Sequence, residues 1–213
     1  MKKTAERASK VIAILKKTYP EVKTQLLHET PFQLLVATIL SAQCTDRQVN
    51  AVTRKLFSAL KTPADFAAAK TSVLEEMIRP TGYFRNKARN IQQCAAALEQ
   101  NHGGRVPATL EDLVKLPGVG RKTANVVLGA AFDTPGIVVD THVKRISGRL
   151  GLTENKDPVK IEFDLMKIIP EKEWNDFSLQ LIYFGREYCT ARKPACPRCP
   201  LRVLCPYPDK TPG

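Results

Sequence analysis

The sequence predicts an all-α protein, on three observations. Helix-capping signals recur at short intervals, apolar residues fall at helical spacing between them, and Ile137-Val138-Val139 is the one strand-like run, too short to be a good strand. Phe32, Leu35, Val36, Ile39 and Leu40 give the first clear helical face. Thr45-x-x-Gln48 has the form of a capping box and opens a second face of Val49, Val52 and Leu56. Thr62-Pro63 supplies a cap with proline at the first helical position, and Ser72-x-x-Glu75 again has the capping-box form. Ile91, Cys94, Ala95 and Leu98 continue the pattern until Gly103-Gly104 stops it. Thr109-Leu110-Glu111-Asp112 starts a short helix whose Leu113, Val114 and Leu116 point inward. Gly118-Val119-Gly120 turns the chain into a helix from Arg121 to about Phe132. Asp140 stands as the N-cap of a segment from Thr141 to Leu150, and Asp157-Pro158 repeats the cap-plus-proline device. Trp174, Phe177, Leu181, Ile182 and Phe184 form a last apolar face before Gly185.

Length and charge narrow the function. A chain of 213 residues is long enough for one large domain or two small ones with real cores. Lys and Arg number 33 against 21 Asp and Glu, a formal charge of +12. That excess favours a polyanionic partner, most often nucleic acid. Met1-Lys2-Lys3 is not followed by the apolar segment of a secretory signal, and no apolar run is long enough to span a bilayer. These features predict a soluble, cytoplasmic protein, and the compact chain points to a prokaryote. No repeat array or low-complexity linker interrupts it.

Cysteine is unevenly distributed. Cys44 and Cys94 stand alone and read as small core residues. The others crowd the C-terminus as Cys189-x6-Cys196-x2-Cys199-x5-Cys205, a metal-site pattern in a reducing compartment. Zinc and a [4Fe–4S] cluster both take four thiolates, and the residues alone leave the two open. The tail from Arg186 to Gly213 has too little apolar surface to fold unaided, so its metal acts as a staple.

The segment with the sharpest chemistry is Leu116-Pro117-Gly118-Val119-Gly120-Arg121-Lys122. Glycines at 118 and 120 suit positive φ or close approach of the backbone to a ligand. The helix N-terminus that follows offers backbone N–H groups to an anion, and Arg121 and Lys122 add positive charge. Such a grip holds a phosphate without reading bases. Lys122 thus places an amine beside a phosphate site, with a carboxylate at Asp140 in Val139-Asp140-Thr141-His142 further on.

Leu116 to Asn125, Val139 to His142, Leu40-Ser41-Ala42-Gln43-Cys44-Thr45-Asp46 and the cysteine tail together resemble the endonuclease III family, helix-hairpin-helix DNA glycosylases of base-excision repair. The resemblance runs over almost the whole chain. It implies two helical domains flanking a DNA-binding cleft: residues 22–133, containing the helix-hairpin-helix at about 109–132, and a discontinuous iron–sulfur domain of 1–21 plus 134–213. It also implies a [4Fe–4S] cluster on Cys189, Cys196, Cys199 and Cys205.

The implied activity is removal of oxidised pyrimidines from duplex DNA, followed by cleavage 3′ to the abasic site through a lysine Schiff base. Lys122 is the implied nucleophile. Its amine has to be partly neutral to attack, a state that a neighbouring Arg121 or a dry pocket favours. Asp140 is the second catalytic residue, and His142 lines the pocket or supports the DNA. Gly118, Val119, Gly120 and Arg121 grip phosphate. Gln43 fills the space of the flipped base, and a second wedge falls in Gly82-Tyr83-Phe84-Arg85-Asn86-Lys87, at Tyr83. Tyrosine departs here from the aliphatic residue of the commonest family pattern, and it can stack on a base. Arg192 and Lys193, between the first two cysteines, present cations to phosphate. The partner is then damaged or abasic double-stranded DNA, bound by a monomer, without a membrane.

Two other readings compete. A mismatch-specific glycosylase of the same superfamily typically lacks a lysine at position 122, and the adenine type usually carries a further C-terminal domain. A non-catalytic helix-hairpin-helix DNA-binding protein with structural zinc differs in being colourless.

Overall fold

The structure, a computed structural model, describes residues 2–212. It is all-helical, with no strand among the described residues. The helices are α1 (Lys2–Thr18), α2 (Pro31–Leu40), α3 (Asp46–Ala59), α4 (Pro63–Ala68), α5 (Thr71–Ile78), α6 (Phe84–His102), α7 (Leu110–Leu113), α8 (Arg121–Phe132), α9 (Thr141–Arg149), α10 (Pro158–Met166) and α11 (Trp174–Glu187). They form two compact units, one of Met1–Lys23 with Pro135–Gly213 and the other of Thr24–Thr134.

Caps decide most helix starts. Thr30, Thr45, Thr62, Thr109, Asp140 and Asp157 each accept a backbone N–H of the following turn. At Thr62 the box is reciprocal: the Asp65 carboxylate accepts the Thr62 N–H at 2.9 Å. Ser72, read as a cap, lies inside α5. That helix starts one residue earlier, behind Lys70, without a side-chain cap. Propensity at a short helix yields here to its packing, since Leu74 and Ile78 are both fully buried.

The Thr24–Thr134 unit packs α2 to α8 around Leu34, Leu35, Leu40, Leu56, Phe66 and Ile91. Burial of each such side chain contributes about 1.5–3 kcal/mol. Cys94 belongs to this core, where burial pushes its thiol up to about 12, whereas Cys44 is only partly buried at its edge. Val114 does not join them. It is 42% exposed, while Leu113 and Leu116 bury at 0% and 4%.

In the discontinuous unit, Val11, Leu15, Val143, Ile146, Leu165, Phe177 and Leu181 form the core. Ile137-Val138-Val139 forms neither helix nor strand. The Gly136 N–H donates to Asn175 Oδ1 and the Val138 N–H to Ser178 Oγ, both at 3.0 Å, so side chains of α11 take the place of a sheet. Gly185 lies inside α11. A Cβ there would collide with His142 Nδ1, so this glycine sets how closely α9 and α11 approach.

Candidate nucleic-acid interface and metal centre

The turn between α7 and α8 separates the two glycines that the sequence treats alike. Gly118 has φ +77°, and an added Cβ would lie 2.7 Å from Asn90 Cβ on α6. Left-handed backbone costs a non-glycine residue about 1–2 kcal/mol, and the clash adds to it. Gly118→Ala is therefore expected to destabilise by ~2–3 kcal/mol, read as a lower midpoint in thermal unfolding. Gly120 is the N-cap of α8 with φ −88°, and nothing lies within 4 Å of its absent Cβ. Gly120→Ala is expected to change stability by less than about 0.5 kcal/mol. Positive φ thus explains one glycine and open space over exposed backbone describes the other.

Val119 is not a surface element of this turn. Its side chain is 6% exposed within the core, and its N–H donates to Leu116 O at 3.1 Å. The hairpin's outward face is made by Gly118, Gly120 and the first turn of α8. That turn has no side-chain cap, unlike α7 before it and α9 after it. Its backbone N–H groups have no intrahelical acceptors and carry the positive end of the helix dipole. Arg121 is half-buried there and Lys122 is exposed, so the free protein provides no dry pocket for the lysine amine.

Asp140 is half-buried, and its Oδ1 accepts the Val143 N–H at 2.8 Å as the cap of α9. Oδ2 takes no part in that bond. Two residues on, His142 Nδ1 lies 3.1 Å from Arg145 Nη2. A guanidinium only donates, so Nδ1 is the acceptor and the ring proton sits on Nε2. Arg145 also donates to Cys189 O at 2.8 Å through Nη2, which ties the helix capped by Asp140 to the cysteine segment.

Gln43 and Tyr83 share a feature that the sequence does not announce. Gln43 has φ 54° and Tyr83 φ 50°, left-handed conformations that cost a non-glycine residue energy. Both side chains are solvent-exposed, Tyr83 at 65%. They sit at the tips of the segments that follow α2 and precede α6.

Cys189, Cys196, Cys199 and Cys205 line one cavity together with Ile146, Leu150 and Phe184. Burial pushes the Cys199 thiol up to about 11, so a thiolate there requires a cationic partner. A single zinc holds thiolates roughly 3.8 Å apart, as follows from tetrahedral bonds of about 2.3 Å. Among the described residues no three His, Cys, Asp or Glu side chains are grouped to share one ion. Four thiols around one cavity supply the donor set that a [4Fe–4S] cluster requires.

Arg149 frames this cavity. It donates to Cys189 Sγ at 3.2 Å, to Thr190 O at 2.8 Å and to Ala191 O at 2.9 Å, and it stacks on Tyr207 at 4.6 Å. The loop carrying exposed Arg192 and Lys193 is thereby held by a residue that sequence reasoning missed. Arg145 and Arg149 are four residues apart on α9, a visible pattern, but their partners lie some forty residues further along the chain.

The model of the HhH-GPD superfamily of base excision DNA repair proteins matches residues 36–171, and that of the iron–sulfur binding domain of endonuclease III matches 189–205. Endonuclease III of Synechocystis sp. is 52% identical over 202 residues, covering 94% of this chain and 92% of the relative.

The chain belongs to the endonuclease III family.

The Bacillus subtilis family member is 48% identical over 188 residues, covering 88% of this chain and 86% of its own. A trapped endonuclease III–DNA covalent intermediate superposes with a TM-score of 0.92 at 46% identity, over 95% of this chain and 96% of that one. A thermostable thymine-DNA glycosylase, at 26% identity and a TM-score of 0.84 over 97% of each chain, shares the fold more distantly. The protein is accordingly a base-excision-repair DNA glycosylase with lyase activity at abasic sites, and it carries a [4Fe–4S] cluster. No helix among the described residues is long and apolar enough to cross a membrane.

Proposed function

We propose that this glycosylase removes oxidised pyrimidines from duplex DNA with Lys122 as nucleophile and Asp140 as its carboxylate partner. The observation that supports this reading most directly is the hairpin. An uncapped helix start behind an exposed glycine carries Arg121 and Lys122 in its first turn. Gly118, Gly120, the first-turn N–H groups and Arg121 hold the DNA backbone, a grip that positions without reading sequence. The Val119 side chain, buried in the core, anchors the turn that makes this grip.

The Lys122 Nζ lone pair forms a bond to C1′ as the bond from C1′ to the base breaks. The base leaves with the bonding electrons and takes up a proton. Because Lys122 is exposed in the free protein, its desolvation comes with the bound, flipped nucleotide. Asp140 keeps Oδ1 on the α9 cap and uses Oδ2 to assist loss of the amine proton and offset positive charge on the sugar. Opening of the sugar gives the Schiff base. Loss of the C2′ proton then expels the 3′ phosphate with its bonding electrons, and water releases the lysine.

His142, two residues beyond Asp140 on α9, supports the DNA beside the reacting nucleotide. Arg192 and Lys193 contact phosphate from the loop framed by Arg149. The cluster, when bound on the four thiolates, supplies rigid cross-linking of that loop. Gln43 occupies the space left by the flipped nucleotide, and Tyr83 stacks into the helix as the second wedge, worth about 1–3 kcal/mol. The protein acts as a monomer on the chromosome of a prokaryotic cell, in the cytoplasmic nucleoid.

Borohydride trapping tests the reaction class. Wild-type protein should form a covalent adduct with duplexes carrying thymine glycol or an abasic site and none with undamaged DNA. A cluster-loaded protein that binds the damaged duplex yet gives no adduct would leave a water-using glycosylase or a simple binder.

A further inference from the structure

The two strained tips are joined by one buried cation. Lys87, in the first turn of α6, is 5% exposed, and its ammonium donates to Leu40 O and to Thr81 O, each at 2.8 Å. Leu40 is the last residue of α2, three positions before Gln43. Thr81 ends a short 3-10 turn two positions before Tyr83. The lysine therefore holds the chain at the foot of both tips, although Leu40 lies 47 residues away in sequence.

The bonding is suited to a fixed position. A helix C-terminal carbonyl has no intrahelical donor and carries partial negative charge, which a buried cation satisfies. Burial disfavours the charged ammonium and lowers its pKa from the usual lysine value, with the nearby Cys44 acting in the opposite sense. Carbonyl oxygens from two separate segments compensate that burial, so both must keep their places together. Each tip then holds a left-handed non-glycine residue, a conformation that persists only where the surroundings over-determine it.

We propose that Lys87 is a positioning residue for base flipping, clamping the Gln43 and Tyr83 loops into one rigid pair that enters the duplex as a unit. The clamp rests on the wedge roles assigned to Gln43 and Tyr83 above. It touches neither DNA nor the reacting atoms. Its contribution is confined to substrates that have to be opened, and an abasic site in single-stranded DNA needs no wedge.

Lys87→Met keeps the apolar stem and removes the donors. Single-turnover excision of thymine glycol from a duplex should fall by about tenfold or more, while trapping on a single-stranded abasic site stays within about twofold. The fluorescence rise of 2-aminopurine placed opposite the lesion should shrink in parallel. Gln43→Ala and Tyr83→Ala should show the same duplex-only loss. If both leave duplex excision unchanged, the wedge reading fails and the clamp fails with it. If both lower it and Lys87→Met does not, the clamp alone is overturned. Equal losses on both substrates in Lys87→Met mean general destabilisation and also overturn it.

A second arm needs no change at Lys87, in case Lys87→Met does not fold. In the otherwise wild-type protein, Gln43→Ala/Tyr83→Ala should lose little more than the worse single variant, because two loops clamped as one unit fail as one unit. A loss equal to the product of the single losses shows independent loops and overturns the proposal.

Discussion

Lys122→Ala is expected to abolish covalent capture on damaged DNA and to lower thymine glycol excision by at least about 10³-fold, ~4 kcal/mol of transition-state stabilisation. The expected size follows from the residue's place. Lys122 is exposed in the first turn of α8, on a helix whose Ala124, Val127 and Leu128 hold it to the core. Alanine is the best helix former, so the substitution leaves the fold and the hairpin grip in place. Affinity for an abasic duplex should fall only by the contribution of one surface cation. The informative result is this split, with binding and thermal midpoint near wild type and adduct absent. A borohydride-stable adduct that persists in Lys122→Ala would move the nucleophile to another amine and remove the central residue of the mechanism. Asp140→Ala is less clean, because the same carboxylate caps α9, and its loss costs about 1 kcal/mol of stability in addition to any rate.

Cys199→Ser should yield colourless protein, little of it soluble, without the broad visible absorption of an iron–sulfur cluster. Cys199 is half-buried against the core that includes Ile146, Leu150, Phe184 and Leu201. A serine there loses the ligand and leaves a hydroxyl beside apolar side chains, at about 1–3 kcal/mol. Loss of the cluster costs far more, since metal binding by a segment with little core of its own is folding free energy. Leu201, at 1% exposure, is the segment's main buried apolar anchor. The loop bearing Arg192 and Lys193 would keep Arg149 as a partner but lose its covalent frame. Iron content, visible absorption and thermal unfolding read the effect. Wild-type yield and DNA affinity in a cluster-free Cys199→Ser protein would show that the cluster is not structural.

Much of the fold was legible because helices are written locally. Thr45, Thr62, Asp140 and Asp157 cap where their sequence context says they should, and the apolar spacing of α2, α3, α6 and α11 matches the faces that are buried. The errors lie where local signals compete with packing. Ser72 had a cap's neighbours but not its position, and Gly185, just past the last apolar face, lies inside α11 where α9 packs against it. Val114 followed the inward pattern of a helix that, at four residues, is too short to keep one face turned to the core.

By itself the sequence determined the class of chemistry. A basic chain, a glycine turn opening a helix at Arg121-Lys122, a capping aspartate at 140 and cysteines at 189, 196, 199 and 205 are one-dimensional patterns, since each depends on residue type and short spacing. Only the tertiary structure separated Gly118 from Gly120, buried Val119, set Arg149 against Cys189 and placed the Lys87 ammonium between Leu40 and Thr81. Local dihedrals and caps are set within a turn or two of chain. A buried ammonium bonded to a carbonyl 47 residues away is set by how helices pack, and no spacing in the sequence records that distance.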